Sequence, residues 1–198
     1  MFSQNQRAFK EWAVICDSLL MGRQILLMRK GGISEEDGIF RLDDPEFFLM
    51  PTYEHQKEDL LQPAYEPLLK QTLSVPYNPM TVSFPGYAVV DTVMAAKSED
   101  AVNRLAFEYA WNEIYVRTRF DYNPYDLLYL ILLRVYALPK PHQLPIKPEY
   151  GGCRSWVTLD QPLSTAGARP ALSDAAFNAR RRLLLDSLDT KKEVTIIR

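Results

Sequence analysis

The stretch that most limits what this chain can become is Leu127 to Leu133, seven apolar residues in a row between Asp126 and Arg134. A helix needs about 20 such residues to cross a bilayer. A short apolar run bounded by charge reads instead as a buried strand, and here the strand continues to about Leu138. Four prolines in the twelve residues from Pro139 to Tyr150 then predict an extended loop, because proline cannot donate to a helix or a ladder.

Other elements are read around that strand. Trp12 to Leu20 and Ile25 to Met28 flank a turn at Gly22 and predict a hairpin with a buried first strand. Gly31-Gly32 stops the second strand, an acidic loop follows over residues 34–38, and Phe47 to Thr52 is the next strand. His55 to Leu73 reads as helix broken at Pro63 and Pro67, and Tyr87 to Met94 as strand. Ser98 caps a helix whose first turn holds Glu99 and Asp100, and Asn112 to Phe120 is a second short helix. Arg154 to Leu159 is the last strand, and Ser173 caps a C-terminal helix over 172–188. The expected fold is α+β, a small β-barrel-like mixed sheet flanked by helices, with a C-terminal helical appendage. The expected division is one domain over 1–160, a linker over 161–170, and a helix and tail over 171–198.

Composition narrows the function classes. Twenty-three basic residues against 25 acidic ones leave a net charge of -2. No global field draws the chain onto nucleic acid or anionic lipid, so a nucleic-acid partner needs a local patch. Cys16 and Cys153 form neither a disulfide framework nor a metal spacing. That usage fits a reducing, cytoplasmic location, with no cofactor, metal or membrane expected. The opening MFSQNQRAFKEW has no apolar core of the signal-peptide kind.

The candidate site residues follow from local chemistry. Arg29-Lys30-Gly31-Gly32 places two cations at a strand end beside glycines that let backbone N–H groups approach an anion. The P-loop spacing is absent, and a charged strand end before a turn is also common without a ligand. Gly151-Gly152-Cys153-Arg154-Ser155-Trp156 offers an arginine fork and an indole stacking face; equally, it reads as a tight turn with a core tryptophan. Tyr53-Glu54-His55 ends a strand or opens a helix. In the first case Tyr53 and His55 share a face; in the second Thr52 is the cap and Glu54 favours the helix dipole. If the chain is an enzyme, the candidate catalytic residues are Glu54, His55 and Asp91. Arg180-Arg181-Arg182 reads as a solvated helix face.

Several of these stretches together resemble one bacterial family, domain of unknown function 1802. They are Glu11-Trp12, Leu27 to Ile33, Phe48 to Gln56, Arg119-Phe120, Leu133 to Tyr136 and Gly152 to Trp156. The likeness covers about residues 8–160 and leaves out the C-terminal helix. The association of some members with Mrr-type restriction-endonuclease domains implies a restriction or defence context. The order of elements is also similar to that of small barrels related to the pseudouridine-synthase-and-archaeosine-transglycosylase (PUA) domain and its ASCH relatives. Those bind RNA or modified bases.

The leading expectation is therefore a non-catalytic nucleic-acid-binding or sensing module, its DNA or RNA ligand lined by Arg29, Lys30, Tyr53, His55, Arg154 and Trp156. The alternatives are a metal-dependent phosphodiester or nucleotide hydrolase, and a module that binds a protein partner through residues 171–188.

Overall fold

The buried run does form a strand, and it is longer than its apolar part. In the computed structural model, which describes residues 1–30, 44–54, 56–76, 78–122, 127–151, 155–189 and 192–197, this strand is β5. The strands are β1 (Gln4–Trp12), β2 (Leu26–Lys30), β3 (Glu46–Thr52), β4 (Thr81–Ala96), β5 (Leu128–Pro145), β6 (Trp156–Ser164), β7 (Arg169–Pro170) and β8 (Val194–Ile196). The helices are α1 (Ala13–Leu20), α2 (Glu66–Ser74), α3 (Glu99–Asn103), α4 (Glu113–Asp121) and α5 (Asp174–Asp186), with short 3-10 turns between them.

One mixed sheet takes in all eight strands along the path β2-β5-β4-β3-β1-β6, with β7 added to β5 and β8 to β4. Every pairing is antiparallel except β1 with β3. β4 and β5 are long enough to serve two cores, and their ladder shifts register between Phe84 and Gly86 and again between Val90 and Thr92. Such bulges bend a strand pair. One half of the pair packs with α1 to α4 around Leu27, Leu130 and Trp111. The other half closes over β1, β3 and β6 around Phe48, Phe84 and Leu159. The curl also brings β2 against β1: Nη2 of Arg29 donates to the carbonyl of Lys10 at 3.1 Å, although the two strands are not ladder partners.

At the first bend, α1 presses onto Gly86. A Cβ there would lie 2.3 Å from Cδ2 of Leu20 and 2.8 Å from the Tyr136 carbonyl oxygen. Only glycine lets the helix and the bent strand approach this closely.

Three expectations need correcting. Residues 13–20 are helix rather than the first strand of a hairpin. Short apolar runs do not distinguish a buried strand from a buried helix. Here the helix is covered by the sheet and by α2, and six of its eight residues are buried. Residues 139–145 stay in β5 despite Pro139, Pro141 and Pro145; the strand is exposed there and tolerates missing donors. The span 161–170 is not a linker. Leu163 and Ser164 pair with β1, and Arg169-Pro170 pair with β5.

The C-terminal helix is likewise docked. Phe177, Leu184 and Leu188 are buried. Arg180 donates from Nε and Nη2 to the buried Glu108 carboxylate at 2.9 and 2.6 Å. Ser98 and Ser173 cap as expected, accepting from the N–H groups of Ala101 and Ala176, and Asn112 does the same for Tyr115. Among the described residues no helix is long and apolar enough to cross a membrane.

Candidate functional site

The sequence of β1 alternates its environments toward the C-terminal end. Phe9 and Glu11 are buried, while Lys10 and Trp12 are half-buried. Parallel pairing places Trp12 beside Thr52, so Tyr53 follows at the same end of the sheet. Antiparallel pairing places Phe9 opposite Trp156 at the start of β6. The end of β2 arrives there through Arg29, and α4 arrives through Tyr115, whose ring meets Trp12 edge-on at 5.9 Å. The strand ends of β1, β2 and β3, the start of β6 and one face of α4 thus form a common mouth.

Arg29 is the inner cation of this mouth. Its Nη2 donates to the Glu11 carboxylate at 2.6 Å, its Nη1 to the Met28 carbonyl at 3.1 Å, and its guanidinium lies 4.5 Å from the Phe9 ring centre. The pair is largely out of water, with side-chain exposures of 13% for Arg29 and 4% for Glu11. Arg29 Nε is buried without an acceptor among the described residues. Lys30 donates to the Phe120 carbonyl at 2.7 Å with its ammonium 5.8 Å from that ring. Arg119, one residue earlier on α4, lies 4.6 Å from the Tyr115 ring. Lys10 donates from Nζ to the carbonyls of Tyr150 and Gly151 at 2.9 and 3.2 Å.

The aromatic groups divide by exposure. Phe9 and Tyr115 are core residues, and Trp111 lies stacked on Tyr115 at 4.9 Å. Trp12, Tyr53, Phe120 and Trp156 are half-buried and reach the rim. Trp156 meets Phe9 and Phe47 edge-on at 4.9 and 5.1 Å and carries Arg7 over its ring at 5.3 Å. It is both core packing and surface, so the two readings of that residue meet in one side chain.

Burial pushes the Cys16 thiol well up, and the charges of Glu11 and Asp17 add to the effect. With its Sγ directed at the Glu11 carbonyl at 3.9 Å, Cys16 is a packed thiol, not a nucleophile. Burial likewise raises the Tyr115 phenol, with Arg119 working against it. Val14, in the first turn of α1, donates its N–H to Oε1 of Gln56 at 2.9 Å, which ties the turn after β3 to the same mouth.

Of the residues expected to line a site, Arg29 and Lys30 end β2, Tyr53 follows β3 and Trp156 begins β6. His55 and Arg154 lie outside the described residues. Of the candidate catalytic residues, Glu54 and Asp91 do not meet. Glu54 is exposed beyond one end of β3, and Asp91 lies past the other end, since Glu46 pairs with Val89. The seven residues of β3 separate them by about 20 Å. Asp91 is bound instead to Arg181 of α5 at 2.5 Å.

Lys10, Glu11 and Arg119 escaped the sequence reading. Glu11 and Arg119 fell within the stretches that carry the family likeness, but no spacing linked them to Arg29. The link is tertiary, through the curl of the sheet.

Comparison with protein families matches residues 8–183 to the family described as Domain of unknown function (DUF1802). The match runs past residue 160 and takes in most of α5, so the helix is not outside the region of likeness. Comparison with curated proteins gives no match. Among solved structures, a ZmASCH mutant protein from Zymomonas mobilis is similar, with a TM-score of 0.46 and 12% identity over 81% of this chain and 92% of that one.

Proposed function

We propose, from the premise that this chain belongs to the DUF1802 family, that it is a nucleic-acid-binding module whose interface is the mouth at the end of β1 and β2. The observation behind this reading is that cationic side chains from β2 and α4 lie near half-buried aromatics at one end of the sheet. Arg29 and Lys30 come from β2 and Arg119 from α4, near Trp12, Tyr53, Phe120 and Trp156, while the Lys10 ammonium lies on the other face of β1, bound to the Tyr150 and Gly151 carbonyls. Cations neutralise phosphate, and half-exposed rings stack on bases. A net charge of -2 makes a local patch of this kind the means by which the chain would hold a polyanion.

Lys30 and Arg119 are assigned the phosphate contacts. Arg29, committed to Glu11, shapes the floor behind them. The hydrolase alternative is less favoured, because Glu54 and Asp91 are held at opposite ends of β3. The protein-partner alternative is less favoured because the apolar face of α5 is covered by the chain itself. A sensing role in a restriction system is a finer proposal, tested by comparing phage plaque counts on cells with and without the gene.

The test of binding is fluorescence polarisation with short labelled DNA and RNA, single-stranded and duplex, at low salt. Saturable binding that quenches the fluorescence of Trp12 or Trp156 is expected. Absence of binding to all four probes would overturn the proposal.

A further inference from the structure

Three separate groups of Lys10 bind three separate parts of the chain. The amide N–H of Lys10 donates to the Ser155 carbonyl at 2.8 Å. Its ammonium donates to the carbonyls of Tyr150 and Gly151. Its own carbonyl accepts from Nη2 of Arg29 at 3.1 Å. Residue 10 therefore grips the chain at 150–151 and again at 155, and fixes Arg29 to the same point. Trp156 is one residue beyond that second grip. The carboxylate of the next residue of β1, Glu11, accepts from the same Nη2 of Arg29 at 2.6 Å.

We infer that Lys10 is the positioning residue of the mouth, holding the Tyr150–Gly151 turn and the start of β6 in register with Arg29. This rests on the reading of the mouth as a nucleic-acid interface for its functional consequence, but not for the anchoring itself. The main-chain links would survive any substitution. The ammonium link is the part that chemistry can remove. Two carbonyls aimed at one ammonium make a charge-assisted contact, stronger than a neutral one. Methionine keeps the aliphatic stem and loses both bonds. Arginine keeps a donor of the same charge.

The inference separates Lys10 from Lys30 and Arg119 in one respect. Removing a cation that neutralises phosphate lowers the salt dependence of binding, whereas removing a positioning group lowers affinity and leaves that dependence alone. The experiment uses the full chain as wild type, Lys10→Met, Lys10→Gln and Lys10→Arg. Amide hydrogen exchange is followed over 150–157, and polarisation is measured over a salt series with a single-stranded probe.

Lys10→Met is expected to exchange faster at Gly151, whose N–H donates to the Pro148 carbonyl at 3.0 Å, with an unchanged unfolding midpoint. It should bind about tenfold more weakly at the wild-type salt slope, and Lys10→Arg should restore both properties. If the methionine variant does not fold, Lys10→Gln carries the same expectations. Unchanged exchange would overturn the inference, as would a salt slope lowered by one phosphate. If the wild type binds no probe, the interface reading fails, while the exchange result still decides whether Lys10 anchors the turn.

Discussion

At the scale of single residues, the mouth is held by a carboxylate that the sequence does not advertise. Glu11 and Arg29 are 18 positions apart and lie on strands that share no ladder. Removing one member of a buried pair strands the other charge, which costs about 3–5 kcal/mol, whereas removing both costs less. Arg29→Met should therefore lower the urea midpoint strongly, and the double variant Glu11→Gln, Arg29→Met should recover part of the loss. A double variant as unstable as the sum of the singles would argue that the two side chains do not act as a pair. Arg29 itself was legible as a candidate because a cation before two glycines is a local pattern. Its orientation was not, because that depends on how far the sheet curls.

Cys16 supplies a second residue-scale expectation. Burial raises its thiol, so the folded chain keeps the proton where the unfolded chain loses it. Its contribution is full below the ordinary thiol value of about 8.5 and is lost as pH rises through the folded value. The thermal midpoint should fall above about pH 8.5, and Cys16→Ala should make that fall shallower. An identical alkaline profile in the variant would count against the assignment.

At the scale of elements, Gly86 and α5 carry the argument. Gly86→Ala forces a methyl group into Leu20 and the Tyr136 carbonyl, and the carbonyl belongs to a ladder that cannot retreat. Overpacking of this kind costs about 1–3 kcal/mol, measurable by denaturant titration. A wild-type midpoint would mean that α1 is not pressed onto the bend. Arg180→Ala removes the guanidinium that both nitrogens of the fork devote to Glu108, leaving a carboxylate that is only 1% exposed. A loss of about 3 kcal/mol or more is expected, with α5 losing its dock.

The elements themselves were partly legible. Caps at Ser98 and Ser173 are local hydrogen-bond signals, and the structure uses both. The apolar run after Asp126 announced β5 because burial demands it. By contrast, α1 was hidden, since a short, mostly buried run satisfies either period. β7 was hidden because two residues carry no pattern of their own.

At the scale of the whole molecule, one bent β4–β5 pair serves two cores, and its curl sets β2 across from β1. That long-range geometry, rather than net charge, brings Arg29 across to β1 and supplies Lys30 and Arg119 as the cations of the proposed interface. In the proposed function, Lys30 and Arg119 meet phosphate at this mouth. The most direct test is the slope of log Kd against log salt for a single-stranded probe, in wild type, Lys30→Met and Arg119→Met. Each variant should lower the slope by about 0.7, the share of one neutralised phosphate, at unchanged fold. Slopes equal to that of the wild type in both variants would contradict the account.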